Sequence, residues 1–181
     1  MTIETERLIL RPLELSDAPD LQRLAGDRDV ASTTRYIPHP YEDGVAEAWI
    51  IACQKKIVAG ESVHFAITIR SDGSFLGLIA LHLDDNRKAA ELSYWVGKPF
   101  WNQGYATEAV KAILRHGLED LGLDRVYAAH FVRNPASGRV MLKAGMLHEG
   151  FLPAHTEKWG KFEDLVLYRA SKDQVLSDDA G

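Results

Sequence analysis

The stretch Trp95–Ala109, WVGKPFWNQGYATEA, decides how the chain is read. It begins as the end of a strand, breaks at Gly97, Pro99 and Gly104, and re-forms as a helix. The helix carries Ala106, Ala109, Val110, Ile113, Leu114, Gly117, Leu118 and Leu121 at spacings of three and four, one apolar stripe, and Gly122 ends it. A strand that turns through glycine into a helix leaves the first helical N–H groups without partners, at the positive end of the dipole. That is a place for an anion.

Several readings of the turn are open. A P-loop needs GxxxxGK[ST], which the chain lacks; a dinucleotide fingerprint needs GxGxxG, and Gly97 and Gly104 stand too far apart. The pyrophosphate of coenzyme A is a third, with Asn102–Thr107 as N–H donors and two splayed strands accepting the pantetheine arm. The plain alternative is that the glycines only punctuate a turn.

Working outward, the strand Ala90–Val96 closes an antiparallel meander over Ser62–Gly97, with Val63–Arg70, the Asp72-Gly73 turn and Phe75–Leu83 before it. After the helix, Arg125–Arg133 is a strand. Strand, crossover helix and strand imply one parallel pair. Asn134-Pro135 places a cap and a proline at the start of a helix Pro135–Ala144, so Asn134 and Ser137 share a sheet edge with the glycine turn. Met146–Phe151 and Phe162–Ala170 close the sheet around a turn at Trp159-Gly160-Lys161. Upstream, Thr2–Leu13 reads as one strand, and Ser16 as the cap of a short helix bearing Leu21 and Leu24. Asp27–Tyr41 reads as a short helix and loop. Glu42–Ala59 is a helix with Val45, Ala48, Trp49, Ala52, Cys53 and Ile57 on one face, so Cys53 is core packing. The expected fold is α/β (α+β): one domain over 1–170, a mixed, mostly antiparallel seven-stranded sheet flanked by helices and splayed between strands four and five, then a polar tail over 171–181 that frays.

The chain has 181 residues, a net charge of −5 and no basic tract, which argues against nucleic acid as a partner. One cysteine excludes an intrachain disulfide and a cysteine metal cluster; the seven histidines show neither HxH nor HExxH, so no metal is expected. No signal peptide and no membrane-length apolar run is visible, so the expected location is cytoplasmic. Monomer and homodimer are both open.

FWNQGYATEA followed by RNPASGRVMLKAGM resembles the GNAT superfamily of N-acetyltransferases. The opening TERLILRPLELSDAPDL and the late WGKFEDLVLY resemble its Rim-type branch, which acetylates ribosomal-protein N-termini. The resemblance spans about Thr5–Tyr168. It implies acetyl-CoA as cosubstrate, with the pantetheine arm along Trp95 and Val96. The phosphates would lie on the amides of Gln103, Gly104, Tyr105, Ala106 and Thr107, and Asn134 would contact the same ligand. Arg139 or Lys143 meets the nucleotide phosphates or is simply a solvated helix face. The family's phosphate loop opens with Gln or Arg where this chain has Trp101.

The family's chemistry is direct attack of an amine on the thioester. A backbone N–H near Val96 would polarise the carbonyl. Many members protonate the thiolate with a tyrosine where this chain has Met141, so the resemblance makes Ser137 the candidate. For the base, alternation puts Glu91, Ser93 and Trp95 on one face and Leu92, Tyr94 and Val96 on the other, which favours Glu91 over His82; Glu91 is equally readable as a solvated or paired strand residue. The expected activity is acetyl transfer to a primary amine, a protein N-terminus or a small molecule. A non-catalytic acyl-CoA-binding domain is the alternative.

Overall fold

Alternating apolar residues and glycine turns lay the chain out as strands joined by helices, and the computed structural model describes residues 1–174. The chain opens with β1 (Ile3–Glu4) and β2 (Leu8–Pro12) rather than one strand. Thr5 holds the bend between them, its backbone N–H donating to Leu8 O at 2.9 Å and its hydroxyl accepting from the Leu8 N–H at 3.0 Å. That break makes the sheet eight-stranded rather than seven-stranded. A 3₁₀ turn, Leu15–Asp17, leads into α1 (Ala18–Ala25). Asp17, not Ser16, organises this start: it accepts from the Glu14 N–H at 2.8 Å and holds both arms of Arg11, at 2.6 and 2.9 Å.

The helices α2 (Arg28–Ser32) and α3 (Val45–Val58) follow. The expected apolar face of α3 is corrected. Ala46, Ile50 and Cys53 meet the sheet, while Ala48, Trp49, Ala52 and Ile57 are exposed, because the contact line lies one step round the helix. The meander forms as expected from β3 (Ser62–Ile69), β4 (Phe75–Leu83) and β5 (Ala89–Val96). Gly73, at φ 76°, makes the first hairpin, and Asp72 accepts from the Ser74 N–H at 2.8 Å.

The crossover helix α4 (Tyr105–Arg115) runs into a π-helical stretch, His116–Asp120. There the Leu121 N–H reaches back five residues to His116 O at 3.0 Å. The wider turn rotates the stripe: Leu121, expected in the core, is exposed, and His116 takes a buried place with Nδ1 2.8 Å from Asp120. Then come β6 (Arg125–Phe131), α5 (Pro135–Lys143), β7 (Leu147–Lys158) and β8 (Lys161–Ser171). β7 outruns its expected end at Phe151, because irregularities at His148/Gly150 and Leu152/Thr156 let it keep pairing with β8. Of the expected tail, Ser171 ends β8 and its N–H donates to Gln174 Oε1 at 3.2 Å, and residues 172–174 form a helical turn rather than a frayed end; 175–181 lie outside the described residues.

The sheet order is β1-β2-β3-β4-β5-β6-β8-β7. Only β5 and β6 run parallel, paired at Ala89↔Arg125, Ala90↔Val126 and Glu91↔Tyr127. Beyond Glu91 the two part: β5 stays with β4 to Val96, and β6 stays with β8 to Phe131. The expected splay is therefore present. α4 and α5 cover one face through Ala109, Val110, Ile113, Leu114 and Met141; α1 and α3 cover the other through Leu21, Leu24, Ala46 and Ile50. Each fully buried aliphatic side chain contributes about 1.5–3 kcal/mol, and the two cores hold the sheet rigid on either side of the gap.

Candidate functional site

Gly104, at φ 80°, is the N-cap of α4, and a glycine cap has no side chain to occupy the first amides of the helix. The N–H groups of Tyr105, Ala106 and Thr107 consequently lack intrahelical partners and face the same end. Asn102, at φ 60°, turns the chain the same way just before. Trp101 does not leave a hole where the family has Gln or Arg. Its indole N–H donates to Val96 O at 2.7 Å and ties the loop to the last residue of β5. Gln103 donates its side-chain amide to Pro99 O at 3.1 Å, bracing the loop from within.

Arg7, in the bend between β1 and β2, belongs to this loop. Its Nε donates to Glu108 Oε2 at 2.7 Å, its backbone N–H to Glu108 Oε1 at 2.8 Å, and its Nη1 to Gln103 O at 2.8 Å. The guanidinium lies 4.5 Å over the Tyr105 ring. Thr5 adds a 2.6 Å bond to Glu108 Oε1. Burial pushes the Glu108 carboxyl up, but the donors from Thr5 and Arg7 outweigh it and hold the group below its usual range. A carboxylate in the first turn of α4 is thus neutralised beside the free amides.

The gap between β5 and β6 has its own unpaired backbone. The Gly97 N–H donates to Leu76 O at 2.7 Å, toward β4, so the alternation of a strand turns the Val96 N–H the other way, into the gap. On the α4–α5 face, Tyr94 reaches from β5 to α5: its hydroxyl lies 2.7 Å from Ser137 Oγ and donates to Ser137 O at 3.1 Å. Burial pushes the Tyr94 phenol up to about 12, so it stays protonated. Asn134 was expected to cap α5 with its side chain. It makes no such bond; only its carbonyl accepts, from the Ser137 N–H at 3.3 Å. The reason is its backbone, φ −116° and ψ 68°, away from the extended geometry of a side-chain cap. Gly138 lets α5 approach the sheet, since a Cβ there would stand 2.6 Å from His130 Nε2. Met141 is buried core, and Arg139 and Lys143 are exposed.

Glu91 and Trp95 lie on the other face, as alternation required. Trp95 packs toward Phe75 at 6.4 Å between centroids. Glu91 pairs with Arg35 at 3.3 Å. It borders a groove of about 400 Å³, whose lining includes Arg35, Arg125, Tyr127, Glu149 and His155. His82 stands opposite Glu91 in the β4–β5 register and contacts Ser93 Oγ through Nε2 at 2.9 Å. Burial lowers its pKa, with Glu91 opposing and Lys56 assisting. The two catalytic candidates, Ser137 and Glu91, therefore sit on opposite faces of the sheet, on either side of the gap. Among the described residues no three His, Cys, Asp or Glu side chains form a group that could hold a metal ion.

This arrangement offers amides for an anion, an unpaired strand edge for an extended chain, a hydroxyl pair at one face and a polar groove at the other. A family model described as an acetyltransferase (GNAT) domain matches residues 7–147. The uncharacterized N-acetyltransferase YnaD of Bacillus subtilis is 30% identical over 173 residues, covering 92% of this chain and 97% of that one. The ribosomal-protein-serine acetyltransferase of Escherichia coli is 28% identical over 101 residues, 55% of this chain and 56% of its own. Among solved structures, RimL, a ribosomal L7/L12 alpha-N-protein acetyltransferase in complex with coenzyme A, superposes with a TM-score of 0.88 at 18% identity, covering 96% of this chain and 99% of that one.

Proposed function

From the premise that the chain belongs to the GNAT acetyltransferases and is an acetyl-CoA-dependent N-acetyltransferase with Rim-type relatives, we propose that its acceptor is the N-terminal amine of a protein or peptide. The observation that carries this is the groove at Glu91. It runs from the end of the β5–β6 pairing across Tyr127 and Ala129 to Leu152 on β7 and Leu167 on β8. An N-terminal residue can enter at Glu91 while the rest of its chain trails outward over β7. The named activities of the ribosomal-protein relatives support the same reading.

The cosubstrate supplies an acetyl thioester: the amine nitrogen bonds to the acetyl carbon, the C–S bond breaks, the thiolate takes one proton, and a second leaves the original ammonium for solvent. The chain's own residues divide the work as follows. The Gly104–Thr107 amides, with Glu108 neutralised by Arg7, hold the phosphates. The edge of β5 at Trp95 and Val96 receives the pantetheine arm, and the Val96 N–H is aimed where a carbonyl needs polarising. Asn134, its side chain not spent on capping, contacts the same ligand. Ser137, held by Tyr94, hydrogen-bonds the sulfur from one face. Glu91 receives the ammonium from the other and relays its proton, directly or through water, toward solvent. Residues 1–170 act as one catalytic domain.

The test is transfer itself. Purified protein with acetyl-CoA should acetylate the α-amine of serine- or alanine-initiated peptides and release free thiol. Coenzyme A binding without transfer to any amine would instead favour a binding module. Transfer to small amines with none to peptides would favour the small-molecule alternative.

A further inference from the structure

Glu91 does not wait empty for an ammonium: the Arg35 guanidinium occupies it at 3.3 Å, the Arg35 side chain 25% exposed and that of Glu91 35%. We propose that this pair selects acceptors carrying a carboxylate close to the reacting amine, the incoming ammonium taking Glu91 and the released Arg35 taking the carboxylate. The inference rests on reading the groove as the acceptor site.

Glu91 is on β5, whereas Arg35 reaches it from the connection between α2 and α3 on a long side chain that can turn from one anion to another. Displacing Arg35 alone would strand a partly buried cation, which is unfavourable unless the acceptor brings an anion with it. An acceptor with both charges exchanges one ion pair for two. Guanidinium and carboxylate also match as a two-pronged hydrogen-bonding pair. The rest of the groove points the same way. Its other carboxylate, Glu149, is shared by Arg125 at 3.4 Å and Arg169 at 4.0 Å. A polyamine would thus find one usable acid and meet Arg35 and Arg125, while an acidic acceptor finds a cation ready to receive it. The chemistry predicted is a peptide whose second residue is Asp or Glu, rather than a polycation.

The experiment compares kcat/KM for peptides identical except for Asp, Asn or Lys at the second position, with spermidine as a polyamine probe, on the wild type, Arg35→Ala and Arg35→Glu. The acetyl-CoA Kd and thermal midpoint of each variant report whether it is folded. The expected result is a preference of about tenfold for Asp over Asn, a further loss with Lys or spermidine, collapse of the Asp/Asn ratio in Arg35→Ala, and inversion toward Lys in Arg35→Glu. Peptide acetylation with an Asp/Asn ratio near one, or with the same ratio in wild type and Arg35→Ala, overturns the inference and leaves the peptide reading standing. Absence of transfer to all peptides overturns both.

Discussion

The hydroxyls of Tyr94 and Ser137 lie 2.7 Å apart, one from the strand that borders the gap and one from the first turn of the helix beyond it. If Ser137 hydrogen-bonds the departing sulfur, Ser137→Ala should lower kcat by about 10- to 100-fold, the loss of one well-placed hydrogen bond, and leave the acetyl-CoA Kd within about twofold. Tyr94→Phe should lower kcat less, because the serine remains but is no longer held. Stopped-flow turnover together with calorimetric binding separates the two. Unchanged turnover in Ser137→Ala would reduce the serine to a first-turn residue.

Arg7 should behave as part of the phosphate loop although it lies in the bend between β1 and β2. Arg7→Ala removes the cation that neutralises Glu108 and the donor to Gln103 O, leaving a carboxylate beside the amides. Coenzyme A affinity should fall about tenfold at low salt and less at high salt, where the repulsion is screened. Pantetheine, which lacks the phosphates, should bind wild type and variant alike. Equal losses for both ligands would assign Arg7 to folding instead.

These two relationships show where the sequence was legible. Periodicity located the meander, the glycine turn, α4 and α5. One rule of alternation placed Glu91 and Trp95 opposite Tyr94 and Val96. It could not place Arg7, whose partner Glu108 is 101 positions away, because alternation gives the face of a strand and not what packs over it. Nor could it reveal the π turn at His116, since Gly117, Leu118 and Leu121 continue the 3/4 spacing straight through it. Arg35 was hidden for a third reason: its loop has no period, and only the folded sheet brings it to Glu91. The cap at Asn134 failed on backbone geometry, which residue type alone does not fix.

His64 gives a test of stability against pH. It is buried on β3 beside Trp49 and His82, its Nε2 has no hydrogen-bond partner, and burial pushes its pKa down to about 4, with His82 and Lys56 adding to the effect. The folded state holds it neutral where the unfolded chain would protonate it. Its contribution is therefore complete above the unfolded value of 6.5 and is lost as pH falls toward 4. At pH 5 the loss is about 2 kcal/mol. Urea unfolding at pH 7.5 and 5 should show that difference shrinking in His64→Phe. An identical pH dependence in the variant would remove His64 as its source.

Cys53 should be silent in the native protein. Burial pushes its thiol up to about 11, with Lys56 opposing, so almost none is thiolate at pH 8. A chromogenic disulfide reagent should titrate no thiol in the folded chain and one in denaturant, since Cys53 is the single cysteine. Thiol released in turnover can then be read without background. Rapid native labelling would mean that α3 opens.

The three-pair contact of β5 with β6 has a last consequence. A sheet normally exposes unpaired backbone only at its outer margins, and this one carries two further margins in its middle. Such margins invite any extended segment, a neighbouring unfolded chain as readily as a ligand. The ligand-free protein should for that reason self-associate on heating more readily than the protein with coenzyme A added, which light scattering would show. If the pantetheine arm lies in the gap as proposed, it would complete the sheet, and its binding should act on shelf life as well as on chemistry.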